Sequence, residues 1–109
     1  MQDIENFHAH IYFDSDQIGD AQRFAQEAQR RFDVAVGRFH TQPVGPHPRG
    51  SCQLTVAIES FGAFAAWAAL NRNALTLFAH ANTGNDLADH TAHVIWFGES
   101  EPLNLSIFG

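Results

Sequence analysis

His8 and His10 are separated by one residue inside Phe7-His8-Ala9-His10-Ile11-Tyr12-Phe13, a run that alternates with a period of two. In a strand this places His8, His10 and Tyr12 on one face and Phe7, Ala9, Ile11 and Phe13 on the other. Two residues of rise set the two imidazoles roughly 6.7 Å apart at the backbone, a span across which both rings can lean onto one metal ion. His-x-His on a strand is a metal-ligand spacing, and it needs a third donor from elsewhere in the chain. The plain alternative is a histidine pair that hydrogen-bonds within a dimer interface. The chain holds seven histidines in 109 residues, unclustered, beside six arginines and no lysine. That density suits neutral nitrogen ligands or acid–base groups working near neutral pH. His80 is the first candidate for the third donor, with His47, His90 and His93 in reserve. His47 stands between Pro46 and Pro48, which narrow its backbone freedom and present the ring at lower entropic cost. Arg38 and Arg49 are of the type that clamps a substrate carboxylate through two parallel hydrogen bonds.

The elements that must position these groups follow from periodicity. Asp14, Ser15 and Asp16 are N-cap candidates for a helix over about 17–31, in which Ile18, Ala21, Phe24, Ala25, Ala28 and Phe32 form the apolar face. Residues 33–39 read as a second strand, with Val34, Val36 and Arg38 alternating against Ala35, Gly37 and Phe39. Residues 40–50 carry three of the four prolines and two glycines; they form a loop long enough to suggest a functional one. A third strand over 51–58 turns Cys52, Leu54, Val56 and Ile58 inward and Ser51, Gln53, Thr55 and Ala57 outward. Ser60 is the expected cap of a helix over 61–70, and a fourth strand over 75–80 places Thr76, Phe78 and His80 opposite Leu75, Leu77 and Ala79.

The order βαββαβ is the ferredoxin-like motif. It predicts an α+β fold with a four-stranded antiparallel sheet in the spatial order 4-1-3-2 and both helices on one face. His80 then falls beside His8, and His8, His10 and His80 share the helix-free face with Tyr12, Gln53 and Thr55. Such a face calls for a cover, either a second copy docked on the open sheet or the C-terminal extension. In that extension 81–86 is rich in turn residues, 87–93 suits a short helical turn, 94–98 is strand-like, and 99–109 alternates loosely enough to pair with an edge.

Composition sets outer limits. The length fits a single domain, 1–109, and an apolar share of 45% with 17% charged residues describes a globular chain. A net charge of −6 with no basic stripe argues against nucleic acid. Cys52 is the only cysteine, so no disulfide framework is expected. The acidic, polar opening does not read as a secretory leader, and no apolar run has the length of a membrane span, so a cytoplasmic protein is expected.

The stretches FHAHIYFD (7–14), GRFHTQPVGPHP (37–48), WAALNRNALTLFAHANTGND (67–86) and DHTAHVIWFGE (89–99), in this order, resemble the DOPA 4,5-dioxygenase family of small fungal and bacterial proteins. The resemblance runs from Phe7 to about Leu105. It implies extradiol cleavage of a catechol such as DOPA, with a non-haem Fe(II) cofactor and dioxygen as co-substrate, in a ferredoxin-like domain that works as a homodimer. By the motif match His8, His10, His47 and His80 are site histidines, with His90 nearby. The usual ligand set for such chemistry is two histidines and one carboxylate, yet no Asp or Glu falls on the open sheet face, and Asp86, Asp89 and Glu99 all lie in the extension. The expectation is therefore an all-histidine shell of His8, His10 and His80, with His47 and His90 as acid–base or substrate-orienting groups and Arg38, Arg49, Gln53 and Tyr12 around the substrate. Another divalent metal such as Zn could occupy the site as purified. Two other classes stay open: a metal- or small-ligand-binding dimer without turnover, and a metal-free isomerase or monooxygenase-like protein using His47 or His90 as a base.

Overall fold

The structure, a computed structural model, describes residues 3–109; Met1 and Gln2, the start of the segment read as lacking a leader, lie outside the described residues. In chain order it contains β1 (Asn6–Phe13), α1 (Ile18–Phe32), β2 (Ala35–His40), β3 (Gly50–Val56), α2 (Ile58–Asn71), β4 (Thr76–Asn82), α3 (Asp86–Asp89) and β5 (Val94–Phe97). The fold is α+β, with one antiparallel sheet ordered β2-β3-β1-β4-β5. The order expected for the first four strands is present, and β5 extends the sheet beyond β4 to make five.

Strand alternation decides what each face holds. Ala9, Ile11 and Phe13 of β1, Cys52, Leu54 and Val56 of β3, and Leu77 and Ala79 of β4 pack with Ala21, Phe24, Ala25 and Ala28 of α1 and Phe64 and Ala68 of α2. Fully burying one such Leu, Ile or Phe stabilises the fold by roughly 1.5–3 kcal/mol, so this face anchors the register of the other. A one-residue slip of β1 would exchange His8 and His10 for core residues. Gly50 is required where β3 begins: a Cβ there would stand 2.8 Å from the Phe13 carbonyl oxygen and 3.2 Å from that of His40.

Four local expectations are corrected. The second helix starts at Ile58 with Ala57 in the N-cap position, so Ser60 lies inside its first turn; Glu59 there places a negative charge at the positive end of the helix. Ile58, expected at the end of the third strand, is accordingly helical and exposed. In β2 a bulge separates Val36, opposite Leu54, from Phe39, opposite Cys52, so both point into the core although three residues apart. The extra residue re-aims Arg38 to the opposite face, as bulges do. Finally, the tail forms no strand; it closes with a 3-10 turn at Leu105–Phe108.

The tail instead joins the 41–49 loop and α3 over the helix-free face. The Asn104 N–H donates to the Pro46 carbonyl at 2.9 Å, and the rings of Phe108 and His90 lie 4.6 Å apart. Tyr12, Phe78, His10 and His80 on that face are buried within a single copy of the chain, so burying them takes no second copy.

Candidate metal centre

β1 and β4 pair with His8 directly opposite His80, and His10 lies one pleat further along opposite Phe78. The consequence is a three-imidazole cluster in which one ligand nitrogen from each of His8, His10 and His80 lies within 4.8 Å of the others. His10 Nε2 and His80 Nε2 are 3.2 Å apart. Two nitrogens held at about 2.1 Å from one ion, at an angle of about 100°, would be separated by about the same distance. His80 Nδ1–H donates to the Ala81 carbonyl at 3.1 Å, which fixes the tautomer and turns the Nε2 lone pair toward His10. With that lone pair as acceptor, His10 Nε2–H donates the connecting bond, and an ion would take the place of its proton. The Gln53 side-chain amide donates to His8 Nε2 at 3.3 Å and holds the third ring against β3.

The electrostatics favour neutral rings. Burial, reinforced by the His47, His80, His8 and His90 rings, holds His10 well below its ordinary pKa. His80 is lowered to about 4, chiefly by burial, against the opposing effect of its bond to Ala81. Burial and then the neighbouring imidazoles lower His47 to about 4, and burial and then His90 lower His8. Neutral imidazoles at neutral pH offer lone pairs, as metal ligation needs. The donor set therefore fits a first-row divalent ion.

Two more histidines close over the triad. His47 is carried by the loop to 4.2 Å from the His10 ring, and its Nδ1 is 2.7 Å from the Tyr12 hydroxyl. Burial, then the charge of Glu101, raises the Tyr12 pKa above its ordinary range, so the phenol keeps its proton. His90 follows α3; its ring lies 4.3 Å from that of His80 and its Nδ1–H donates to the Asp86 carbonyl at 2.7 Å.

The Dopa 4,5-dioxygenase family model matches residues 7–107. The chain belongs to this family. Two curated relatives are similar over nearly all of it: an uncharacterized 21.2 kDa protein of Botryotinia fuckeliana, 34% identical over 93% of this chain, and a DOPA 4,5-dioxygenase of Amanita muscaria, 32% identical over 95%. The chain spans 62% of the first relative's length and 50% of the second's. A crystal structure from Nostoc punctiforme PCC 73102, provisionally named a dioxygenase, is 36% identical and superposes with a TM-score of 0.90, over 94% of this chain and 89% of that one.

For a chain of the Dopa 4,5-dioxygenase family the remaining sequence candidates fall into two groups. Gln53 and Arg38 line a cavity of about 310 Å³ beside His10, His47, His40 and Ser51. Arg49 does not. It donates to Glu101 through Nε at 3.0 Å and Nη2 at 2.8 Å, and to Asp14 through Nη1 at 3.1 Å, with its guanidinium 5.9 Å from the Tyr12 ring centre. None of the three carboxylates in the extension joins the cluster: Asp86 and Glu99 are exposed, and the buried Asp89 accepts from Thr83 and His93. His93 is thus engaged away from the triad. Sequence reasoning placed Phe78 on this face with His80 but missed Trp96 and Phe108, which pack against Phe78 and His90 respectively. Trp96 lies 4.7 Å from Phe78 and 6.1 Å from Tyr12, and the alternation of β5 was the only signal for it.

Proposed function

We propose that this chain is a non-haem Fe(II)-dependent dioxygenase that opens a catechol ring by extradiol cleavage. The observation that carries the reading is the cluster of three neutral imidazoles, buried His10 and His80 with half-buried His8, of which His10 lines a cavity of small-ligand size, in a family named for a DOPA 4,5-dioxygenase. His8, His10 and His80 would hold the ion. When bound, it supplies the redox centre at which an electron-rich catechol and dioxygen react.

The protein's own groups handle the protons. With the Tyr12 hydroxyl donating to Nδ1, His47 carries its proton on Nε2 and acts as a donor. With Nδ1–H donating back to the phenol oxygen, the Nε2 lone pair becomes a base for a catechol hydroxyl. His90 has no such choice, because Asp86 fixes its Nδ1–H and leaves Nε2 as an acceptor. Phe78, Tyr12 and Trp96 pack on one another beside His10 and His80, which leaves Tyr12 and Phe78 out of contact with water.

One observation favours a second reading, a metal- or ligand-binding protein without turnover. Among the described residues no buried side-chain nitrogen or oxygen lacks a partner, so the cluster is satisfied with no ion at all. The discriminating experiment is metal analysis of protein purified without chelator, then oxygen consumption with DOPA and simple catechols after anaerobic Fe(II) addition. Iron-dependent uptake with a new yellow chromophore is expected. Bound metal with no uptake on any catechol would establish the second reading, and no bound metal would overturn both metal-based readings. A homodimer and a cytoplasmic location complete the proposal and are read from mass in solution and cell fractionation; among the described residues no helix is long and apolar enough to cross a membrane.

A further inference from the structure

The cavity beside the triad combines features that bear on which catechol it takes. Across the sheet, β2, β3, β1, β4 and β5 align the bulge at Gly37–Arg38, Gln53, His10, Phe78 and Trp96 in one transverse row. Two strand spacings separate Arg38 from His10, about 10 Å. The bulge turns Arg38 onto the site face, where it lines the cavity with His10, His47, Ser51 and Gln53. Among the described residues Arg38 is the one arginine with neither an ion pair nor a side-chain hydrogen bond. Arg23, Arg30, Arg31 and Arg49 pair with carboxylates, and Arg72 donates to the Leu75 carbonyl. No Asp or Glu is among the described residues that line the cavity. Its volume of about 310 Å³ lies at the small end for ligand sites, room for a single ring with a short arm.

We infer that the site selects catechols that carry a carboxylate on a short side arm and no amino group, with Arg38 as the specificity-determining residue. The diol end lies toward His10 and His80, and the arm runs along Gln53 to the guanidinium, which takes the carboxylate through two parallel hydrogen bonds. An amino acid such as DOPA would present its carboxylate equally well, but its ammonium would stand beside the exposed guanidinium with like charge and no carboxylate in the cavity to receive it. An amine such as dopamine would meet Arg38 with like charge. The inference rests on the proposed catechol site, and it concerns recognition only.

The test compares 3-(3,4-dihydroxyphenyl)propanoate, DOPA, 4-methylcatechol and dopamine. Binding to metal-free and Fe(II)-loaded protein is measured anaerobically by calorimetry, and oxygen uptake gives kcat/KM for each. The propanoate is expected to bind at least tenfold more tightly than DOPA, with dopamine weakest. In Arg38→Ala the ratio of the propanoate to 4-methylcatechol should fall ten- to a hundredfold, the range for a lost charge-assisted pair, chiefly through KM, and Arg38→Lys should restore part of it. A ratio unchanged in Arg38→Ala, or DOPA bound more tightly than the propanoate, overturns the inference. Absence of oxygen uptake on every compound, with Arg38-dependent binding intact, overturns the dioxygenase reading and leaves the recognition inference standing.

Discussion

Asp89→Asn tests what holds His90 over the triad. The Asp89 carboxylate is buried at the end of α3 and accepts from the Thr83 N–H at 2.8 Å, the Thr83 hydroxyl at 2.7 Å and His93 Nδ1–H at 2.8 Å. These bonds tie both ends of the β4–β5 connection to its middle, and His90 is the next residue. Burial alone would disfavour the charge, yet the Thr83 and His93 bonds outweigh it and hold the carboxyl below its usual pKa. Asparagine is nearly isosteric but has one acceptor oxygen. Keeping that oxygen toward the Thr83 hydroxyl and His93 turns the NH₂ toward the Thr83 N–H, donor against donor. One bond to a charged acceptor is lost, about 2 kcal/mol, and a buried donor is left unpaired, about 1 kcal/mol or more. The sum, about 3 kcal/mol, should appear as local opening of 83–93. Amide exchange at Thr83 and from Asp89 to His93 should then run about 100-fold faster. Amides of β1 and β3 should be little affected, and metal affinity should stay near wild type because His8, His10 and His80 lie on β1 and β4. Exchange within threefold of wild type at Thr83 and His90 would refute the idea that this carboxylate holds the connection.

Acid should unfold the metal-free protein in a defined window. His47 and His80 fall from 6.5 to about 4 on folding, so above pH 6.5 their contribution is complete. As pH drops from 6.5 to 4 the unfolded chain takes up protons that the folded one refuses. Stability then falls by up to about 3 kcal/mol per ring, with His8 and His10 acting in the same direction; a urea midpoint flat from pH 7 to 4.5 would contradict this. His10→Ala should remove most of the bound metal while the far-ultraviolet circular dichroism persists, and full stoichiometry in that variant would discard the ligand assignment. Gly50→Ala should cost about 1–3 kcal/mol, because its Cβ meets two backbone carbonyl oxygens and neither strand can yield alone. An unshifted urea midpoint would show the strands to be more compliant than their spacing suggests.

Alternation made half of the site readable before any coordinates. His8, His10, Tyr12, Gln53 and His80 each fall on the helix-free face because period-two strands leave no other choice once Ile11, Leu54 and Leu77 are inside, and the βαββαβ order sets His80 beside His8. What stayed hidden depends on partners remote in sequence or on a break in the period. The Arg49–Glu101 pair joins residues 52 apart, and nothing local distinguishes Arg49 from an arginine free to meet a ligand. The bulge in β2 inverts the side assigned to Phe39 relative to Val36, and an inserted residue leaves no mark in a hydrophobic pattern this short. The path of the tail was illegible for a related reason: Leu103, Leu105 and Ile107 alternate as a strand would, but the contacts that direct it are Asn104 on Pro46 and Phe108 on His90.

The transverse row from the bulge to Trp96 bears on how such a protein could diversify. Each of the five strands contributes to the reactive side from positions interleaved with those that pack against the helices. New substrate preferences can therefore accumulate without renegotiating the fold. A library confined to Arg38, Gln53, Thr55 and Trp96 would leave Ala9, Ile11, Leu54 and Leu77 unaltered. The boundary of that freedom is Gly37, where any side chain would press on the Gln53 carbonyl oxygen at 3.1 Å. Drift in specificity should thus be commonest around the row and rarest at its glycine.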